Sequence, residues 1–190
     1  MKPLCLALAL LCPTPGLARC PEKYFVTQYR SYANVRGSDN NVYCGAATLA
    51  MVALAYDRLP DDLEASQRQE LILWCHQRMA DDPDEPGIRA RGMLRAAGML
   101  GLNSRLVHGL EQIQQELDQG RLVAVAGNIL RLGLPCRGHG GHCMLVVGRR
   151  GEDFLINDPG GFFRQPATPI GAQDLQKFLW YGVSFWTSPP

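Results

Sequence analysis

From Gly45 to Tyr56 (GAATLAMVALAY) nearly every position is apolar, with Cys44 standing directly in front of the run. Helix formers dominate it, so the pattern predicts a helix buried on all sides and closed by Pro60. A second helix is expected from about Asp62 to Met79, with Leu63, Leu71, Trp74 and Cys75 among its apolar positions, before ADDPDEPG breaks the chain. Residues 88–100 predict a third helix, and Leu110 to Gln119 a short fourth that ends at Gly120 in C-cap position. The period then changes. RLVAVAGNI (121–129), CMLVVG (143–148) and DFLIN (153–157) are short, glycine-bounded runs rich in branched and aromatic residues, as strands are. A helix over 172–180 and a last strand, GVSFWT, follow, while 23–29 (KYFVTQY) has strand-like content ahead of the polar loop SYANVRGSDNN. Helices first and an antiparallel sheet afterwards is an α+β layout.

The 190 residues, 46% hydrophobic, suit one domain with a full core. A net charge of +1 with the signs mixed gives no footprint for nucleic acid and no polybasic membrane patch. The opening MKPLCLALALLCPTPGLARC joins Lys2, an apolar run from Pro3 to Cys12, and small residues at Gly16 and Ala18. This predicts a signal peptide over 1–18 and a mature domain over 19–190, secreted to the periplasm or the exterior. The apolar run is too short to span a bilayer, so no integral membrane association is expected. Lipidation at Cys20 is the rival, and Arg19 before it is a poor fit.

The mature chain keeps Cys20, Cys44, Cys75, Cys136 and Cys143. In an oxidising compartment an odd count leaves a free thiol. If that is Cys44, the other four form two bridges in any of three ways, Cys136 with Cys143 being conceivable from their closeness in the chain. The positive end of the helix dipole at Cys44 favours thiolate over thiol, and Gly45 leaves room for a substrate. A packed, inert cysteine is the competing reading.

GHCMLVVGRRGEDFLINDPGG (141–161) predicts a hairpin around Arg149, Arg150 and Gly151. With Gly148 facing Glu152, Met144 opposes Ile156 and His142 opposes Asp158. A carboxylate there holds the imidazole in one tautomer and leaves its other nitrogen to take a thiol proton. Thiol, base and orienting acid together meet the needs of an activated nucleophile. CRGHGGHC also holds the zinc-ligand types Cys136, His139, His142 and Cys143. Adjacent His142 and Cys143 on a strand point to opposite faces, so neither metal nor cofactor is expected.

Gln28, CGAATLAM from Cys44, GHCMLVV with His142 and INDP with Asp158 together resemble the bacteriocin-processing (double-glycine) peptidases and their papain-like relatives. The likeness spans most of the mature chain, including the RLVAV strand. It implies a papain-like α+β fold, Cys44 as nucleophile, His142 as general base, Asp158 as orienter, and Gln28 as oxyanion donor beside the Cys44 N–H. Gln28 lies sixteen residues before Cys44, farther than in exporter-linked relatives, and Asn40 or Asn41 is the alternative donor. With no transmembrane run and no P-loop in the sequence, a free-standing secreted peptidase acting on a peptide or protein is the expectation. An acyl-transferring enzyme on the same triad and a non-catalytic secreted binding module are the alternatives.

Overall fold

A computed structural model describes residues 23–27, 43–59, 64–79, 90–136, 140–163 and 166–187. The expected leader, Cys20, Gln28, Asn40, Asn41 and His139 lie outside these residues.

Helix α1 (Cys44–Ala55) is the hub, and all twelve of its residues are buried. That follows from its composition: a helix without a polar stripe has no face to offer water. It packs against α2 (Ala65–Met79) and α3 (Ala90–Met99) on one side and the sheet on the other. The sheet has six strands, β1 (Asn103–Val107), β2 (Leu122–Asn128), β3 (Gly141–Arg150), β4 (Asp153–Asn157), β5 (Thr168–Ile170) and β6 (Leu179–Trp186). Their order is β1-β6-β2-β3-β4-β5 and every pairing is antiparallel. Alternation along the strands divides the core in two. Leu122, Ala124, Cys143, Leu145, Val183 and Phe185 join α1, α2 and α3, whereas Val123, Val125, Met144 and Val146 join Ile113 of α4 (Gly109–Asp118) and Leu175 and Phe178 of α5 (Ala172–Phe178). Helices cover both faces of the sheet.

Two crossties fix α1 and α4 to that sheet. The Tyr56 hydroxyl donates to the Phe185 carbonyl (2.6 Å) and accepts from the Leu122 N–H (3.2 Å). Glu116, 1% exposed, accepts from Arg105, from Ser184 and from Arg121 (3.1 Å). A buried carboxylate is tolerable only when so satisfied. Arg121 in turn lies 4.5 Å over the Trp186 ring.

Several expectations need correction. Residues 23–27 form no strand, although Tyr24 and Val26 are buried as an alternating pattern requires; they pack on the helical half without joining a ladder. Strands β1 and β5 were not foreseen. Both are sheet edges, where half the side chains face water and an apolar run is not needed, and β5 even carries Pro169. The β3–β4 turn has two residues, Gly151 and Glu152, not three, with Gly151 at φ +60° as a type II′ turn requires. Arg150 therefore faces Asp153, and a bulge at Val147 shifts the register once more, so that Val146 pairs with Ile156 and Leu145 with Asn157. His142 is thus not directly opposite Asp158.

Candidate active site

Cys44 opens α1. Tyr43, at the N-cap, gives no side-chain cap, so it leaves the first-turn amides to other acceptors. One turn on, the Thr48 hydroxyl lies 2.8 Å from the Cys44 carbonyl and 3.4 Å from that of Cys143. It thereby ties the mouth of the helix to β3 at the residue after His142.

His142, second residue of β3, is 6% exposed, and Asp158, just past the end of β4, is fully buried. Nε2 of His142 stands 2.6 Å from Oδ1 of Asp158. The pair forms despite the shifted register because the carboxylate reaches along the strand from its own turn. That turn holds the carboxylate still: Oδ1 also accepts from the Gly160 N–H (2.8 Å) and Oδ2 from the Phe163 N–H (2.9 Å). The Phe162 ring meets the imidazole edge to face, centroids 5.1 Å apart at 77°. Gly160 has no room for a side chain, since a Cβ there would sit 2.5 Å from Cε1 and 2.9 Å from Nε2 of His142.

With Nε2 engaged, Nδ1 is the nitrogen left for the thiol, and Cys44 lies near enough to act on the imidazole. Burial alone depresses a histidine. Here the hydrogen bond to Asp158 and the interaction with Cys44, with the charge of both, outweigh it and raise His142 to about 9. The ring therefore carries its proton at neutral pH, beside the sulfur.

Cys44, His142 and Asp158 are brought together; Gln28 and its alternatives Asn40 and Asn41 fall outside the described residues. Sequence reasoning missed Gly160, Phe162 and the Phe163 amide. The signal for them was present in PGGFF after Asp158, where glycines mark a backbone pressed against something. The Cys136–Cys143 bridge, one of the pairings left open by the sequence, is not formed: Cys143 is a free thiol packed with α1, whereas Cys136 packs in the cluster on the other side of the sheet. Cys75 is also free and buried. Burial pushes Cys75 up to about 12 and raises Cys143 as well, so both are poor nucleophiles. Among the described residues no three His, Cys, Asp or Glu are grouped to hold a metal, and no helix is long and apolar enough to cross a membrane.

No family model and no curated protein matches the sequence. Solved structures do match. The peptidase domain of Streptococcus ComA, a bifunctional ABC transporter involved in a quorum-sensing pathway, superposes with TM-score 0.55 at 19% identity, over 80% of this chain and 96% of that one. A C39-like peptidase from Bacillus anthracis gives 0.60 at 11% identity, over 87% and 95%. A double-glycine-motif protease from an AMS/PCAT transporter, solved with its leader peptide, gives 0.51 at 18% identity, over 84% and 96%. The chain thus has the papain-like α+β fold of the double-glycine, bacteriocin-processing peptidase domains.

Proposed function

We propose that this chain is a cysteine peptidase working through a thioester acyl-enzyme on Cys44, His142 and Asp158. The observation that carries the reading is the hydrogen-bonded His142–Asp158 pair with Cys44 beside it. The Cys44 side chain meets His142, and His142 Nε2 stands 2.6 Å from a carboxylate oxygen held by two further backbone amides. Its likeness in fold to peptidase domains supports the same reading.

In the reaction, His142 holds the proton taken from the Cys44 thiol, and the thiolate attacks the scissile carbonyl carbon while Asp158 keeps the imidazolium oriented with Nδ1 toward the sulfur. In this reading the backbone N–H of Cys44 is one donor to the developing oxyanion. His142 gives its proton to the departing amine as the C–N bond breaks. Water, deprotonated by the now neutral imidazole, then attacks the thioester, and the acid leaves while the Cys44 thiolate and the imidazolium are restored. Gln28 is the second oxyanion donor in this reading. Its predecessor Thr27 approaches the Pro159 carbonyl through Oγ1 (3.5 Å), which brings the chain just before it to the turn that follows Asp158.

The substrate is a peptide or protein, and the enzyme acts outside the cytoplasm after residues 1–18 are removed. N-terminal sequencing of exported protein should read from Arg19; an intact Met1 start would contradict that assignment. A peptide-library cleavage profile, with Cys44→Ala as blank, tests the activity itself. Cleavage at a shared motif by the wild type alone supports it, and identical profiles for the two proteins contradict it.

A further inference from the structure

We propose that Trp180 and Leu130 form a subsite beside His142 that takes a bulky apolar side chain of the substrate peptide. Among the described residues these are two of the large apolar side chains left in water, at 49% and 45% exposed. Neither exposure is a by-product of an ordinary strand. The β2–β6 ladder pairs Ala126 with Tyr181 and Gly127 with Leu179, which leaves Trp180 bulged out between them. A bulge re-aims the side chain it carries, and bulges concentrate beside active sites. Gly127 permits this one, since a Cβ there would lie 2.0 Å from the Phe178 carbonyl oxygen.

The ring lies against β3 at the residue just before His142. Gly127 pairs with His142 and Asn128 with Gly141, and a Cβ on Gly141 would stand 3.6 Å from Cη2 of Trp180. On the adjoining residue, Gly140, a Cβ would come within 2.7 Å of Cγ of Leu130. Leu130 is held out by a 3₁₀ turn (Ile129–Leu132) that Asn128 caps, its Oδ1 accepting from the Leu130 N–H (3.0 Å). The exposed backbone of Gly141 is therefore flanked by the indole, and the Leu130 isobutyl group covers the buried Gly140 beside it, in the two positions that precede His142 in the chain. Exposed apolar side chains over backbone that leads straight into His142 suit an aliphatic or aromatic side chain close to the scissile bond.

The assignment rests on the peptidase reading, and the test separates the two. Tripeptidyl chloromethyl ketones alkylate a reactive cysteine, the sulfur displacing chloride to leave a thioether. Three matched pairs, each with Ala or Phe at the first, second or third residue from the electrophile, are compared by intact-mass labelling rates. Each rate is divided by the iodoacetamide rate of the same protein, which reads the thiol alone. At one position or more the Phe label should react about tenfold or more faster than its Ala partner, the usual yield of filling an apolar subsite. Trp180→Ala should erase that ratio and Trp180→Phe should retain most of it. Equal ratios in wild type, or a ratio that survives Trp180→Ala, overturns the subsite while rapid iodoacetamide labelling of Cys44 leaves the triad standing. Slow iodoacetamide labelling of Cys44 overturns both.

Discussion

His142 and Asp158 are joined at 2.6 Å although they are not direct cross-strand partners, because the carboxylate is carried on a turn that fixes it through the amides of Gly160 and Phe163. The orientation of the imidazole therefore depends on that turn as much as on the carboxylate.

Asp158→Asn should keep the shape of the turn and lose control of the tautomer. Peptide turnover is expected to fall about 10²–10⁴-fold, the range for losing oriented acid–base catalysis. Steady-state kinetics on a cleaved peptide would check this, and a loss below threefold would remove Asp158 from the mechanism.

Gly160→Ala should be nearly as damaging by steric means. The new methyl would sit 2.5 Å from Cε1 of His142, so the ring must move away from Asp158. Turnover should fall at least tenfold, with about 1–3 kcal/mol of stability lost to overpacking. Chemical denaturation and peptide kinetics together would report both effects; unchanged kinetics would contradict the close approach.

The pH dependence follows from the direction of the His142 shift. Burial lowers its affinity for a proton, but Asp158 and Cys44 win and raise it from 6.5 to about 9. A raised folded value means that the contribution to stability is whole below about 6.5 and is lost as pH rises through about 9. The proton needed by the leaving amine goes with it, so activity should decline on the alkaline side near 9. An imidazole NMR titration should show the same value, moving down in Asp158→Asn; a wild-type midpoint at 6.5 would contradict the coupling.

Glu116 should matter to stability and not to chemistry. Burial pushes its carboxyl up, but the bonds from Arg105, Ser184 and Arg121 outweigh this and hold it below its ordinary 4.5. Its contribution is present above about 4.5 and is lost as pH falls through the depressed folded value. Glu116→Gln should cost about 1–3 kcal/mol in urea unfolding at neutral pH, and the cost should shrink in acid. An equal loss at both pH values would contradict the charge-based account.

The parts of the fold that were legible in the sequence are those where burial is complete. α1 announces itself because no face of it is polar, and β2, β3 and β4 because glycines bound their apolar runs. Edge strands β1 and β5 are silent because they bury little. Cys44, His142 and Asp158 were readable as residue types in order. Their geometry was not, since a bulge at Val147 and a tighter turn depend on packing that no local pattern encodes. Glu116 was hidden among the polar residues of α4, although its spacing of three from buried Ile113 puts it on the same helical face.

Gln28→Ala tests the remaining member of the expected site. If Gln28 is an oxyanion donor, kcat should fall about ten- to a thousandfold with little change in KM. Unaltered kcat would return the role to Asn40 or Asn41.

The most direct test of the Cys44–His142 pairing is residue-resolved alkylation of the native protein, read by peptide mass mapping at neutral pH. Cys44 should label rapidly and buried Cys75 and Cys143 slowly, and His142→Ala should slow Cys44 about a hundredfold or more. Uniformly slow labelling, or a Cys44 rate indifferent to His142, would contradict the account.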